Sequence, residues 1–400
     1  MNPGFGGLHP YPFEKLAALK SDAEPPSALP HIALSIGEPK HQTPAFITEE
    51  VMTHLHKLSV YPATRGLLQL RQAIADWLCR RFQLDTAPLD PEQHILPLNG
   101  TREGLFAFAQ AVIDPADNAL VLMPNPFYQI YEGAALLAGA EPRYLNCDEE
   151  HGLVPDFDSI DAETWRRCRL LYLCSPGNPT GAVIDIATLQ RLIRLSHQYD
   201  FIIAADECYS EIYFDEQHPP AGLLQAAAAM GETSYRNCVV FHSLSKRSNA
   251  PGLRSGFIAG DSTVIETFFR YRTYHGCAMP LHHQAASITA WQDEKHVIEN
   301  RRLYREKFDA VLAMLDGVLD ADRPDAGFYL WPRTPAGFDD TSFTRELYSR
   351  QNLTVLPGSY LSRPTTAGNP GVDRIRMALV APLEDCIEAA QRIKTCVESA

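Results

Sequence analysis

The chain has 400 residues, 45% of them hydrophobic and 21% charged, a balance that fits folded globular domains and excludes a disordered or fibrous polypeptide. With 49 acidic against 35 basic residues the formal charge is −14, and such a field repels a phosphate backbone, which argues against nucleic acid as a partner. The nine cysteines form no C-x-x-C pair and the 14 histidines show no ligand spacing, so reduced thiols are expected rather than disulfides or a metal centre.

From the N-terminus, MNPGFGGLHPYPFEKL lacks the basic and apolar regions of a secretory signal, and no later segment is apolar enough to span a membrane. A cytoplasmic location is expected. Pro25, Pro26 and Pro30 mark a linker behind an N-terminal arm. Short apolar β-favouring runs then alternate with amphipathic stretches: HILPLNG (94–100), TREGLFAFAQAVI, ALVLMP (119–124), QIYEGAALLAGA, RLLYLCSP (169–176), ATLQRLIRLSHQYD, FIIAADE (201–207), NCVVFHS (237–243) and SGFIAG (255–260). This alternation predicts an α/β fold, a mainly parallel sheet with helices on both faces. From Leu281 to about Leu319 the pattern is helical throughout and predicts one long helix leading out of the sheet domain. The strands AGFYLWP and DRIRMALV and the helices SFTRELYSRQ and LEDCIEAAQRIKTCV beyond it predict a smaller α+β lobe partnered by the N-terminal arm. The expected division is 1–44 for the arm and part of the small domain, 45–285 for the large domain, and 286–400 for the long helix and the rest of the small domain.

In open α/β sheets ligands sit at the carboxyl ends of the strands. Those ends carry Asn99-Gly100-Thr101-Arg102, Pro126-Phe127-Tyr128, Asn178-Pro179-Thr180-Gly181, Asp206-Glu207-Cys208-Tyr209 and Ser243-Leu244-Ser245-Lys246. Singly, each reads as a turn or a helix cap. Together, in this order, they resemble the fold type I, class I/II aminotransferases, enzymes dependent on pyridoxal 5'-phosphate (PLP), from LSIGEP near the start to DRIRMAL near the end.

That resemblance implies a role for each residue. Lys246 is the amine that holds PLP covalently yet exchangeably, its pKa lowered by desolvation and nearby cations. Asp206 is the buried carboxylate that keeps the ring nitrogen protonated. Tyr209 and Asn178 hydrogen-bond the phenolic oxygen, and Tyr128 stacks on the ring. Gly100, Thr101 and Arg102 present a helix N-terminus to the phosphate, with Ser243, Ser245 and Arg254 as further donors. Ser255 departs from the family, which has a small apolar residue there. Arg376 holds the substrate α-carboxylate and Gly37 lies beside it. Tyr61 reaches the neighbouring subunit's phosphate, which implies a homodimer with shared active sites, and YRTYHG (271–276) corresponds to an interface loop.

The segments HPYPFEKL, LSIGEPKHxTP and YPATRGLLQLR are similar to those of N-succinyl-L,L-diaminopimelate aminotransferases of lysine biosynthesis. This implies transamination between that substrate and 2-oxoglutarate, with Lys40, Arg102 and Arg272 as candidates for its distal acidic groups. Another class I aminotransferase, acting on aspartate, alanine or aromatic amino acids, remains the alternative, as does a PLP-dependent carbon–sulfur lyase. An aminotransferase-like transcription regulator would need a DNA-binding module, for which about 30 residues before the first motif leave no room.

Overall fold

The computed structural model describes residues 3–399. Seven strands make the central sheet: β1 (Ile95–Leu98), β2 (Leu120–Asn125), β3 (Glu141–Asn146), β4 (Cys168–Cys174), β5 (Ile202–Asp206), β6 (Cys238–Ser243) and β7 (Gly256–Gly260). Across the sheet they run β1-β7-β6-β5-β4-β2-β3. β7 is antiparallel to both neighbours, and the other pairings are parallel.

Side-chain alternation explains why both faces are covered. On β4, Leu171 and Leu173 join a core containing Trp77 and Trp291, while Leu170 and Tyr172 join the opposite core with Phe108 and Phe268. A strand such as β4 therefore buries two apolar stripes, the signature of a parallel sheet between helical layers. Helices Leu68–Phe82 and Leu281–Gln292 cover one face, and Thr101–Val112 and Ser262–His275 the other. The edge strand β3, EPRYLN, is not foreseen from sequence because its residues are exposed or half-buried and carry no apolar run.

The helix expected over 281–319 is two helices, Leu281–Gln292 and Lys295–Leu315. Buried Arg247 explains the break. Its guanidinium donates to the Ala290 carbonyl at 2.7 Å and the Asp293 carbonyl at 3.2 Å, and pairs with Glu294 at 2.5 Å. Carbonyls at the end of the first helix thus find a side-chain partner, and the Asp293 carboxylate accepts from the His296 amide at 3.0 Å to start the second.

The second helix runs into a smaller core of Phe308, Val311 and Leu315 with Phe343, Leu347, Ile375, Met377 and Ile393. Here Leu356–Pro357, Ile375–Ala378 and Tyr329–Leu330 form a three-stranded antiparallel sheet. Ile32–Ala33 pairs parallel with Leu353–Thr354, so the N-terminal segment is built into this lobe. Among the described residues no helix is long and apolar enough to cross a membrane, and the nine cysteines are unpaired.

Trp77 packs against Trp291 at 4.7 Å between ring centroids and against His242 at 5.1 Å. Trp77→Ala is expected to cost about 3–5 kcal/mol, measured as a lower midpoint in denaturant unfolding. A midpoint equal to the parent's would show that this core does not carry the large domain.

Candidate active site

A cleft of 480 Å³ opens where the carboxyl ends of β4, β5 and β6 face the small lobe. Gly37, Thr101, Arg102, Tyr128, Asn178, Asp206, Tyr209, Ser243, Ser245, Lys246, Arg254 and Arg376 all line it. Gly100 adjoins it, because a Cβ there would stand 2.4 Å from the Arg254 guanidinium. At φ +81° and with that neighbour, only glycine fits the position. Tyr61 lies elsewhere in this chain, fully exposed on the surface.

Asp206 ends β5, in register with Cys174 on β4 and Phe241 on β6. It is buried, and desolvation raises its pKa. Two donors oppose that rise: the Tyr131 hydroxyl at 2.7 Å and the Cys208 amide at 3.3 Å. A cation placed beside it would favour the ionised form further. Tyr131 was missed from sequence; it is fully buried, stacked on Tyr172 at 4.7 Å, and its only signal was a tyrosine three residues after Tyr128.

Lys246 sits on the four-residue helix Leu244–Arg247, capped by Ser243, whose hydroxyl accepts from the Ser245 amide at 3.1 Å. Its amine donates to the Gly37 carbonyl at 2.5 Å. Burial, with the Arg376 cation as a weaker contributor, lowers its pKa to about 8, against an opposing influence from Cys208. The departure at Ser255 is accommodated by a buried hydroxyl pair with Ser287 at 2.7 Å.

Arg376, on the strand Ile375–Ala378, is buried over the Tyr329 ring. It donates to Asn178 Oδ1 at 3.0 Å and to the Ser35 carbonyl at 2.7 Å, while its Nε has no partner among the described residues. As a forked cation lining the cleft, Arg376 suits a carboxylate. The Tyr209 hydroxyl lies 3.0 Å from that of Tyr329. The Asn178-Pro179 bond, open at the level of sequence, is cis. Tyr11 and Phe13 of the N-terminal arm also line the cleft, and Arg102 stands over the Tyr11 ring at 5.6 Å.

Two of the three candidates for distal recognition fall away. Arg272 is fully buried, pairing with Glu103 at 2.7 Å and donating to the Cys277 carbonyl at 2.8 Å. Lys40 is exposed, pairs with Glu38 at 2.7 Å and does not line the cleft. Arg102 remains. Glu103, His275 and Cys277 come close enough to share a metal ion, but the Glu103 carboxylate already accepts from Arg272 and from the Asn99 amide.

The donor set fits PLP. A buried carboxylate, a desolvated amine, a helix N-terminus with two serines and Arg254, and the Tyr128 ring all face one cleft.

Residues 30–393 match the model of the family described as aminotransferase class I and II. The LL-diaminopimelate aminotransferase of Desulforudis audaxviator is 32% identical over 98% of this chain and 96% of its own length. That of Aquifex aeolicus is 32% identical over 97% and 96%. A crystal structure of an aminotransferase from Neisseria meningitidis superposes with a TM-score of 0.94 at 48% identity, covering 99% of this chain and 100% of that one. A Thermus thermophilus structure described as a probable N-succinyldiaminopimelate aminotransferase gives 0.85 at 26% identity, over 96% and 100%.

Because the lowered pKa makes the neutral amine predominate above about 8, Lys246 in cofactor-free protein is expected to react with trinitrobenzenesulfonate along a pH curve centred near that value. Peptide mapping would locate the label. A midpoint near the ~10.4 of a free lysine side chain would mean that the amine is solvated.

Proposed function

The chain belongs to the class I and II aminotransferases, PLP-dependent enzymes of fold type I, and within that family we propose that it exchanges an amine between N-succinyl-L,L-2,6-diaminopimelate and 2-oxoglutarate. The products are N-succinyl-2-amino-6-oxopimelate and glutamate. The charge of the cleft carries this reading: Arg102, Lys246, Arg254 and Arg376 line it, and Asp206 is its sole carboxylate among the described residues. With Arg254 assigned to phosphate and Arg376 to the α-carboxylate, Arg102 is left over, and among the described residues it stands over the Tyr11 ring and in no ion pair. A distal carboxylate suits it. A free distal ammonium would find no acidic partner in this cleft, whereas acylation removes that charge and adds a second anion.

The residues divide the work as follows. Arg376 and the amide side of Asn178 orient the amino acid by its α-carboxylate, a two-pronged contact that fixes the Cα–H direction. Bound PLP supplies the electron sink that acidifies that Cα–H. Lys246, whose neutral form predominates above its lowered pKa, would be the base that takes the proton from Cα and the acid that later returns it. Asp206, steadied by Tyr131, would hold the proton on the ring nitrogen of the bound cofactor. Tyr209 and Asn178 would hold the cofactor by its phenolic oxygen, and Tyr128 would offer its ring as a stacking surface. The arm residues Tyr11 and Phe13 add aromatic surface to the wall of the cleft.

A second reading, transamination of unsuccinylated L,L-diaminopimelate, is favoured by the names of the relatives at 31–33% identity. Half-reactions with the succinylated diamine, the free diamine, glutamate, aspartate and alanine, followed by the pyridoxal-to-pyridoxamine absorbance change, separate the two. The succinylated diamine and glutamate are expected to react fastest. Preference for the free diamine would overturn the succinyl assignment, and pyruvate released from cystathionine without a keto acid would indicate a lyase.

Lys246→Ala is expected to lower turnover by at least about 10³-fold. Arg376→Lys loses the fork and should raise KM for every amino acid by about 10–100-fold.

Met52, Leu55, Leu58, Val60 and Tyr61 form an exposed apolar run, with Tyr274 exposed in the 271–276 loop. Such a run suits a homodimer in which Tyr61 completes the opposite site. Co-expressed Tyr61→Ala and Lys246→Ala chains would then regain roughly one quarter of parental activity through hybrid dimers. Activity no greater than the mean of the two variants would mean that sites are not shared. The reading places the enzyme in the cytoplasm, where free thiols persist.

A further inference from the structure

Behind the cleft, three chain segments meet at Asn300, on the helix Lys295–Leu315 that links the two lobes. Its side chain is 2% exposed. The amide nitrogen donates to the main-chain carbonyl of Lys246 at 3.3 Å. The amide oxygen accepts from His41 Nδ1 at 2.8 Å and from the Asn249 amide at 3.0 Å. Two donors on one side and a carbonyl on the other leave the Asn300 amide a single satisfied orientation.

The same pattern dictates the imidazole. For Asn300 Oδ1 to accept, His41 must carry its hydrogen on Nδ1, and burial, which pushes its pKa down, keeps it neutral. Its Nε2 is buried without a partner among the described residues. A buried nitrogen without a partner is unfavourable, so this ring is not explained by filling space beside Tyr304, whose ring lies 4.6 Å away. The contact it does make is the one to Asn300.

We propose that Asn300 is a positioning residue for Lys246, and that His41 sets the Asn300 amide. The helix carrying Lys246 has only four residues: the Leu244 carbonyl accepts from the Ser248 amide at 3.0 Å, and the Lys246 carbonyl belongs to the last turn, where helix carbonyls need partners from outside. Asn300 supplies that outside contact at the lysine's main chain. Segment 35–41 supplies a second at the amine, through the Gly37 carbonyl, and a third to the carboxylate-binding arginine, through the Ser35 carbonyl to Arg376. One strap therefore touches the lysine's tip, the lysine's root by way of His41 and Asn300, and Arg376. Placement of the amine over the substrate Cα is thereby coupled to carboxylate binding and to the helix joining the lobes. The proposal rests on Lys246 being the reacting amine.

The test uses holoenzyme for kinetics and cofactor-free protein for a readout independent of turnover. Asn300→Ala is expected to lower kcat about tenfold with KM changed less than twofold, since a small misplacement of a reacting group acts on the proton-transfer step. Labelling of Lys246 by trinitrobenzenesulfonate at fixed pH in cofactor-free Asn300→Ala should change at least threefold. His41→Asn, whose amide nitrogen can stand where Nδ1 stands, should stay within twofold of the parent on both readouts. His41→Phe should match Asn300→Ala, and the double variant should be no worse than either, as for two members of one linkage. Asn300→Ala within twofold of the parent on both readouts would overturn the proposal, as would His41→Asn behaving like His41→Phe. Lys246→Ala is the control: turnover surviving in it would bring down the functional reading and this proposal together, whereas its loss alongside an unaffected Asn300→Ala would bring down this proposal alone.

Discussion

A carboxylate withheld from water organises this molecule. Asp206 ends a strand flanked by parallel neighbours on both sides, and little solvent reaches it to offset the cost of its charge. The Tyr131 hydroxyl and the Cys208 amide meet part of that cost. What remains is an unmet demand for positive charge at one point of an otherwise cationic cleft. Tyr131 belongs to the same short segment as Tyr128, so the element that steadies the carboxylate also furnishes the ring-facing wall.

The opposing group is treated by the same physics with the sign reversed. Desolvation disfavours the charged form of Lys246, so the neutral amine becomes accessible near physiological pH. Burial raises the pKa of the acid and lowers that of the base, so their titrations are drawn toward each other, and the hydrogen-bond donors on Asp206 oppose its rise. The N-terminal segment is what closes this environment. Gly37 accepts from the amine, Ser35 accepts from Arg376, and Ile32–Ala33 anchors the strap in the small lobe. The two lobes are thus joined at the site by short polar contacts as well as by the long helix.

Much of the fold is legible in the sequence because its central strands bury both faces and so appear as unbroken apolar runs. β3 escaped because an edge strand with half-buried residues has no such run. The false continuity from Leu281 to Leu319 has a different cause: helical periodicity continues across Asp293 and Glu294, and only Arg247, 46 residues away along the chain, caps the carbonyls that end the first helix. Among distal cations, Arg272 looked available by type and position, yet it is spent internally on Glu103.

By itself the sequence determined which chemical groups stand at the strand ends, since Asp206 and the run Ser243 to Lys246 are given by local order and the parallel sheet gathers those ends at one edge, while Arg254 and Arg376, outside those ends, follow from the resemblance. It determined the family through those same residues. Only the tertiary structure decided which groups are free and which are already bound: Tyr131 on Asp206, Arg272 on Glu103, and His41 and Asn249 on Asn300. Such pairings join residues up to hundreds of positions apart and depend on distances of a few tenths of an ångström, and these arise from how the layers pack.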